Sequence, residues 1–202
     1  MPVVYHQFEG RQNDNRHGYT EAKELAKETV RLYGYIRNVH VGIGCGSCCA
    51  AIAIKHIGNL YSTNHGLPFS MILGNSRLAP SGLASAGYKN SQRIRFGGHA
   101  ERAAFTVGEK DHPELYTIQH LPGNQAVLYV ELHPCTACKR WLEGTNYSPR
   151  GIQNPFKNEI NAQGQTTLNV WYRWPHKDNG VAQMEVFHGL PLEHQLLLIN
   201  NW

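Results

Sequence analysis

The stretch Ala126-Val127-Leu128-Tyr129-Val130-Glu131-Leu132-His133-Pro134-Cys135-Thr136-Ala137-Cys138-Lys139 decides the architecture. Its first seven residues form an apolar run interrupted only by Glu131, the pattern of a strand buried on both faces. His133-Pro134 ends the run. Proline can occupy the first turn of a helix without losing a hydrogen bond, so a helix is expected to start at Pro134. A strand buried on both faces and feeding straight into a helix points to helices on either side of a sheet.

Working outward, Gly97-Gly98 opens a second expected helix, carrying Ala100, Ala103, Ala104 and Val107. Before it, residues 65–98 are rich in Gly, Ser, Asn and Pro and read as a long loop of the functional or disordered kind. Runs at Cys48–Ile54 and Asn59–Thr63 read as strands, with Ile57-Gly58-Asn59 as a hairpin turn. Ala22, Leu25, Ala26, Val30 and Tyr33 share one helical stripe, capped by Thr20 and stopped at Gly34. Residues 1–19 show no pattern and are expected to form an arm or loop, leaving 20–202 as a single domain. Downstream, 144–166 reads as polar loop. Leu168–Arg173 and Gln183–His188 read as strands joined by a turn at Asp178-Asn179-Gly180, hence antiparallel, and Pro191–Ile199 as a closing helix. The sum is a three-layer α/β/α domain on a five-stranded mixed sheet whose last two strands are antiparallel.

Composition sets the outer limits. At 202 residues and 41% hydrophobic content, one domain can bury a core without disulfide or metal staples. Aromatic content of 10% with only 17% charged residues argues against wholesale disorder. Five cysteines, an odd number, do not suit a secreted disulfide framework. No apolar run approaches a membrane span, and Met1-Pro2-Val3-Val4-Tyr5-His6 lacks the basic start and apolar core of a signal peptide. A cytoplasmic protein is expected from the chain as written, although a mature piece of something larger would look the same.

Two short segments carry chemistry: Gly98-His99-Ala100-Glu101-Arg102 and His133-Pro134-Cys135-Thr136-Ala137-Cys138. Cysteines three apart on a helix put both sulfurs on one face, and a helix N-terminus favours their thiolates. Two thiolates and one imidazole suit Zn²⁺, and three protein ligands leave a fourth position for water, as at a catalytic site. Glu101, two residues past His99, is placed to move the protons of that water. A structural site would need a fourth ligand, for which His133 or a distant Cys is the candidate. Cys45, Cys48 and Cys49 read mainly as small buried thiols, with a second metal or redox pair as the alternative.

At these residues the sequence resembles the zinc-dependent cytidine-deaminase-like superfamily, whose pattern is H-x-E followed by P-C-x-x-C. Here it reads His99-Ala100-Glu101, then Pro134-Cys135-Thr136-Ala137-Cys138, with Cys135 36 positions after His99. The resemblance implies that His99, Cys135 and Cys138 ligate one catalytic zinc and that Glu101 is the general acid and base. It implies substrate contacts at Ala100, Pro134 and Asn64, with Asn75 as the alternative to Asn64. The implied reaction is attack of water on the amine-bearing ring carbon, with loss of ammonia and conversion of the base to its oxo form.

Within the family, free cytidine deaminases commonly use Cys as the first ligand, whereas this chain has His99. Together with the expected closing hairpin and the long loops, that most resembles bacterial polymorphic-toxin deaminases acting on polynucleotide cytosine. The tRNA-adenosine and AID/APOBEC branches place a helix there and run the strands parallel. The expected function is conversion of cytosine to uracil in nucleic acid, DNA ahead of RNA, in a toxin-like or editing role. A toxin would bring an immunity or inhibitor protein as partner and delivery into a target cell. A metabolic deaminase of free cytidine, nucleotide or base, and an inactive zinc-stabilised binding module, are the competing readings. Charge placement agrees with a phosphate-bearing substrate. Windows 86–102 and 139–160 hold eight basic and three acidic residues, against 11 and 12 in the rest of the chain. Arg93, Arg95, Lys139 and Arg140 are the expected nucleic-acid contacts, with Tyr88, Phe96, Trp141, Tyr147 and Phe156 interleaved as for base stacking, although Trp141, on the motif helix, reads first as a core residue.

Overall fold

The computed structural model describes residues 3–10, 14–39, 48–54, 70–75, 99–101, 126–143, 168–176 and 179–202. In chain order the elements are β1 (Val3–Gln7), α1 (Tyr19–Val39), β2 (Cys49–Ile54), β3 (Ser70–Asn75), β4 (Ala126–Leu132), α2 (Thr136–Leu142), β5 (Leu168–Trp174), α3 (Gly180–His188) and α4 (Leu192–Asn200). The strands form one mixed sheet in the order β1-β5-β4-β2-β3. β1, β5 and β4 run parallel, with Val170 lying between Tyr5 and Leu128. β2 is antiparallel to both its neighbours, with Ile52 between Leu128 and Ile72.

The continuous apolar run of β4 has a direct cause in this arrangement. Its odd residues Val127 and Tyr129 pack with Ala51, Trp171 and Phe8 beneath α1, α3 and α4. Its even residues Leu128 and Val130 pack with Ile52 and Val170 beneath Ala100 and the α2 residues Trp141 and Leu142. Strand side chains alternate between faces, so a sheet covered on both sides needs apolar residues at every position. On α1 the expected stripe is buried at Ala22, Leu25, Ala26 and Val30, while the side chain of Tyr33 lies outside the described residues. The helix runs on past Gly34 to Val39 and begins one residue before Thr20. Gly18 precedes it at φ +78°, where a Cβ would meet Val127 Cγ2 at 2.9 Å, so both conformation and space call for glycine.

Several expectations are corrected. Residues 1–19 are not simply an arm: β1 forms the sheet edge, because Val3 and Tyr5 pack on the α2 face while Phe8 packs on the other. The alternation is masked in the sequence by His6, a core-facing polar residue that hydrogen-bonds Asn169 at 3.0 Å and stacks on Trp171 at 4.6 Å. The loop expected over 65–98 contains β3, which pairs with β2; the strand expected at 59–63 lies outside the described residues.

The antiparallel closing pair is overturned. Residues 183–188 belong to helix α3, and β5 pairs parallel with β4 on one side and β1 on the other. The apolar positions there fit two periods. A strand would group Met184, Val186 and His188, whereas the chain buries Gly180, Met184, Phe187 and His188 and leaves Val186 71% exposed. A side chain at Gly180 would overlap the Pro175 carbonyl, so the helix starts at a residue without one. With the hairpin goes one of the three features on which the toxin-type branch was set ahead. No helix among the described residues is long and apolar enough to cross a membrane.

Candidate metal centre

Strand β4 leads through His133 and Pro134 to Cys135, which is the N-cap of α2 rather than a residue within it. The helix therefore begins at Thr136, two residues later than the proline rule predicts. The Cys135 sulfur accepts the backbone N–H of Cys138 at 3.4 Å, the capping role usually taken by a serine or aspartate oxygen. Cys138 is fully buried one turn on, and Trp141 and Leu142 anchor α2 to the sheet. From the other segment, Ala100 is buried in the same cluster and opens a helical turn, with His99 just outside and Glu101 just inside.

These two segments bring His99, Cys135 and Cys138 together, with one ligand atom from each lying within 4.8 Å of the others. His99 Nδ1 is 3.5 Å from Cys135 Sγ and 3.3 Å from Cys138 Sγ. Tetrahedral zinc with Zn–S near 2.3 Å and Zn–N near 2.0–2.1 Å separates sulfur from nitrogen by roughly 3.5 Å. The observed spacings are therefore those of ligands around a zinc-sized ion, and the donor set of two sulfurs and an imidazole fits zinc. Among the described residues the group holds three ligands. His133 packs edge-on against Tyr172 at 4.5 Å and is not in the group.

Electrostatics separates the two titratable partners. The Cys135 thiol is brought down to about 3 by hydrogen bonding with the Cys138 thiol, then by His99 and the Cys138 N–H, against the opposing effect of burial. It is a thiolate at neutral pH, the form a metal needs. Glu101 is buried, and its carboxyl is raised above the usual range, first by burial and then by the Cys135 charge. Its own backbone N–H, His99 and the Cys138 thiol act in the opposite direction. A carboxyl raised by burial and set beside a metal-ligand cluster is suited to accept and return a proton.

The remaining expected site residues divide. Pro134 is buried and Ala100 lies in the core. Arg140 is exposed on α2, and Lys139 sits with its Nζ 4.6 Å over the Tyr5 ring. Trp141 is 1% exposed and packs in the core, so it is not a stacking surface. Asn64, Arg93 and Arg95, along with Cys45, Arg102, Tyr88, Phe96, Tyr147 and Phe156, lie outside the described residues; Asn75 is described only as a β3 residue paired with Cys49.

Two features escaped the sequence reading. Glu131 is fully buried; its Oε1 lies 2.7 Å from His188 Nε2, and its Oε2 accepts the Cys49 N–H at 2.6 Å. Its signal was available, as the one acid in an otherwise apolar strand. Cys48, read as a small buried thiol, packs partly buried against both core clusters, and burial, with Glu131 and Glu101 behind it, holds its thiol well above the ordinary value. Tyr5 packs against α2 from β1 and had no local signal at all. Searched against family models, characterised proteins and solved structures, the chain finds no match in any of the three.

Proposed function

We propose that the protein is a zinc-dependent hydrolytic deaminase that converts cytosine to uracil in nucleic acid. One observation carries the reading: three soft ligand atoms within 4.8 Å, with a buried carboxylate two residues from the histidine. A metal held by three protein groups keeps a position open for water or substrate, whereas structural zinc takes four. When bound, zinc would supply the Lewis acidity that makes water a nucleophile at neutral pH.

His99, Cys135 and Cys138 would hold the ion, with Cys135 already ionised in the metal-free fold. Glu101 would take a proton from the attacking water and deliver one to the departing amine, so that cytosine and water become uracil and ammonia. Its burial excludes bulk water from that transfer and raises the carboxyl toward the pH at which both steps run.

A polynucleotide substrate is supported by one feature. The basic excess of the chain follows the two motif segments in sequence, with Lys139 and Arg140 on the helix that bears the cysteines.

The test is mass-spectrometric detection of deamination by zinc-loaded protein across free cytidine, adenosine, single-stranded DNA, duplex DNA and RNA. Uracil in a polynucleotide, absent with a Glu101→Ala protein that keeps its zinc, is the expected result. Turnover of free cytidine with none on oligonucleotides would transfer the reading to a metabolic enzyme, and no turnover on any substrate would remove the deaminase reading.

A further inference from the structure

Helix α2, which Cys135 caps and which carries Cys138, has only seven residues, too few to be a stable helix by itself. Its orientation must come from what packs against it. Beneath it lie the sheet residues that meet Trp141 and Leu142. At its side lies Tyr5, fixed by the pairing of β1 with β5 opposite Val170. The Tyr5 O–H donates to Glu143 Oε1 at 3.2 Å, at the C-cap of the helix. The Lys139 ammonium lies 4.6 Å over the Tyr5 ring, and the His133 ring is 6.0 Å from it. In sequence these contacts bracket the ligand pair: His133 two residues before Cys135, Lys139 directly after Cys138, Glu143 at the helix end.

We propose that Tyr5 is a positioning residue of the metal centre, through which strand β1 holds α2 where Cys135 and Cys138 meet His99. Partners that orient ligands from outside the coordination sphere typically change metal affinity by about 10–100-fold when removed. Tyr5 does so by ring contact with Lys139 and by a hydrogen bond to a carboxylate, both on the ligand-bearing helix. The Glu101 and Cys138 charges also reach it: after burial and Glu143, they help hold the phenol above its ordinary range, so it stays a protonated donor. The inference rests on the metal reading and not on deamination.

The experiment is zinc affinity of the full chain by competition with a chromophoric chelator, with the absorption spectrum of the cobalt-substituted protein alongside. Tyr5→Leu removes ring and hydroxyl, and Tyr5→Phe removes the hydroxyl alone. Gln7→Ala is the control, since the Gln7 side chain donates to the Arg173 carbonyl at 3.4 Å, away from α2. Tyr5→Leu is expected to weaken zinc binding about 10–100-fold and to shift the cobalt–thiolate bands, Tyr5→Phe to weaken it by a smaller factor of at least about two, and Gln7→Ala to leave both unchanged. A loss of stability alone would not move the cobalt spectrum. Parent-like affinity and spectrum in both Tyr5 variants would overturn the assignment; should Tyr5→Leu fail to fold, parent-like affinity in Tyr5→Phe overturns it and weakened affinity upholds it. A parent chain that binds no zinc would overturn this inference together with the metal reading. Zinc binding that depends on Tyr5, in a protein that deaminates nothing, would uphold it while removing the deaminase reading.

Discussion

Replacing Glu131 with alanine is expected to destabilise the protein by about 2–6 kcal/mol, the cost of leaving two buried polar groups without their partner. The magnitude follows from where the two carboxylate oxygens go. Oε1 is 2.7 Å from His188 Nε2 on α3, with both side chains at most 1% exposed, and Oε2 accepts the Cys49 N–H of β2 at 2.6 Å. Loss of the carboxylate strips that partner from two buried polar groups, each costing about 1–3 kcal/mol, so that the two together make about 2–6 kcal/mol. Were the pair at the surface, the expected loss would be only about 0–1 kcal/mol. The assay is equilibrium urea unfolding at fixed free zinc for the parent, Glu131→Ala, His188→Leu and the double variant. At about 2–4 °C per kcal/mol for a chain of this size, Glu131→Ala should also lower Tm by roughly 10 °C. The double variant should lose less than the sum of the singles, with a coupling of about 1 kcal/mol or more. A loss below about 1 kcal/mol for Glu131→Ala, or strict additivity, would refute the reasoning that Glu131 ties β4, β2 and α3 together.

Three further outcomes are expected. Glu101→Gln should keep its zinc, measured by elemental analysis, while deamination falls by about 10²–10⁴-fold, the usual contribution of a general acid–base group. Cys138→Ser should retain less than one equivalent of zinc after dialysis against a mild chelator, since two ligands remain of the three. In metal-free protein, Cys135 should be alkylated by iodoacetamide at a rate that barely changes between about pH 5 and pH 8, because a thiol held down to about 3 stays ionised throughout. Its depressed value also favours the fold, by an amount fully present above the ordinary thiol range and lost as pH falls through about 3. Cys48, whose thiol is raised by burial, should stay unreactive in the same mass spectra.

How much was legible in the sequence follows from the range over which each signal acts. Strand β4 could be read to the residue, because a strand covered on both faces must be apolar at each step and this one is broken only by Glu131. The metal cluster could be read because its chemistry is local: Cys135 and Cys138 meet through one helical turn, and only His99 comes from elsewhere. β1 was hidden because its partner lies about 165 residues away and because His6 points into the core, satisfied by Asn169. α3 was misread because apolar positions six residues deep fit both periods, and only the choice of Phe187 over Val186 for burial decides between them. Glu131 is the instructive case. A charge inside a buried strand demands a partner, but nothing in the chain told that the partner would be His188 rather than a metal.

The most direct test of the central claim is the zinc X-ray absorption spectrum of the loaded protein at neutral pH. The account predicts one zinc with two sulfur neighbours at about 2.3 Å and two nitrogen or oxygen neighbours at about 2.0–2.1 Å. One of the lighter pair is His99, and the other is exchangeable, replaced when a small anion is added. A shell of three or four sulfurs, or a closed shell that no anion perturbs, would contradict a catalytic centre built on His99, Cys135 and Cys138.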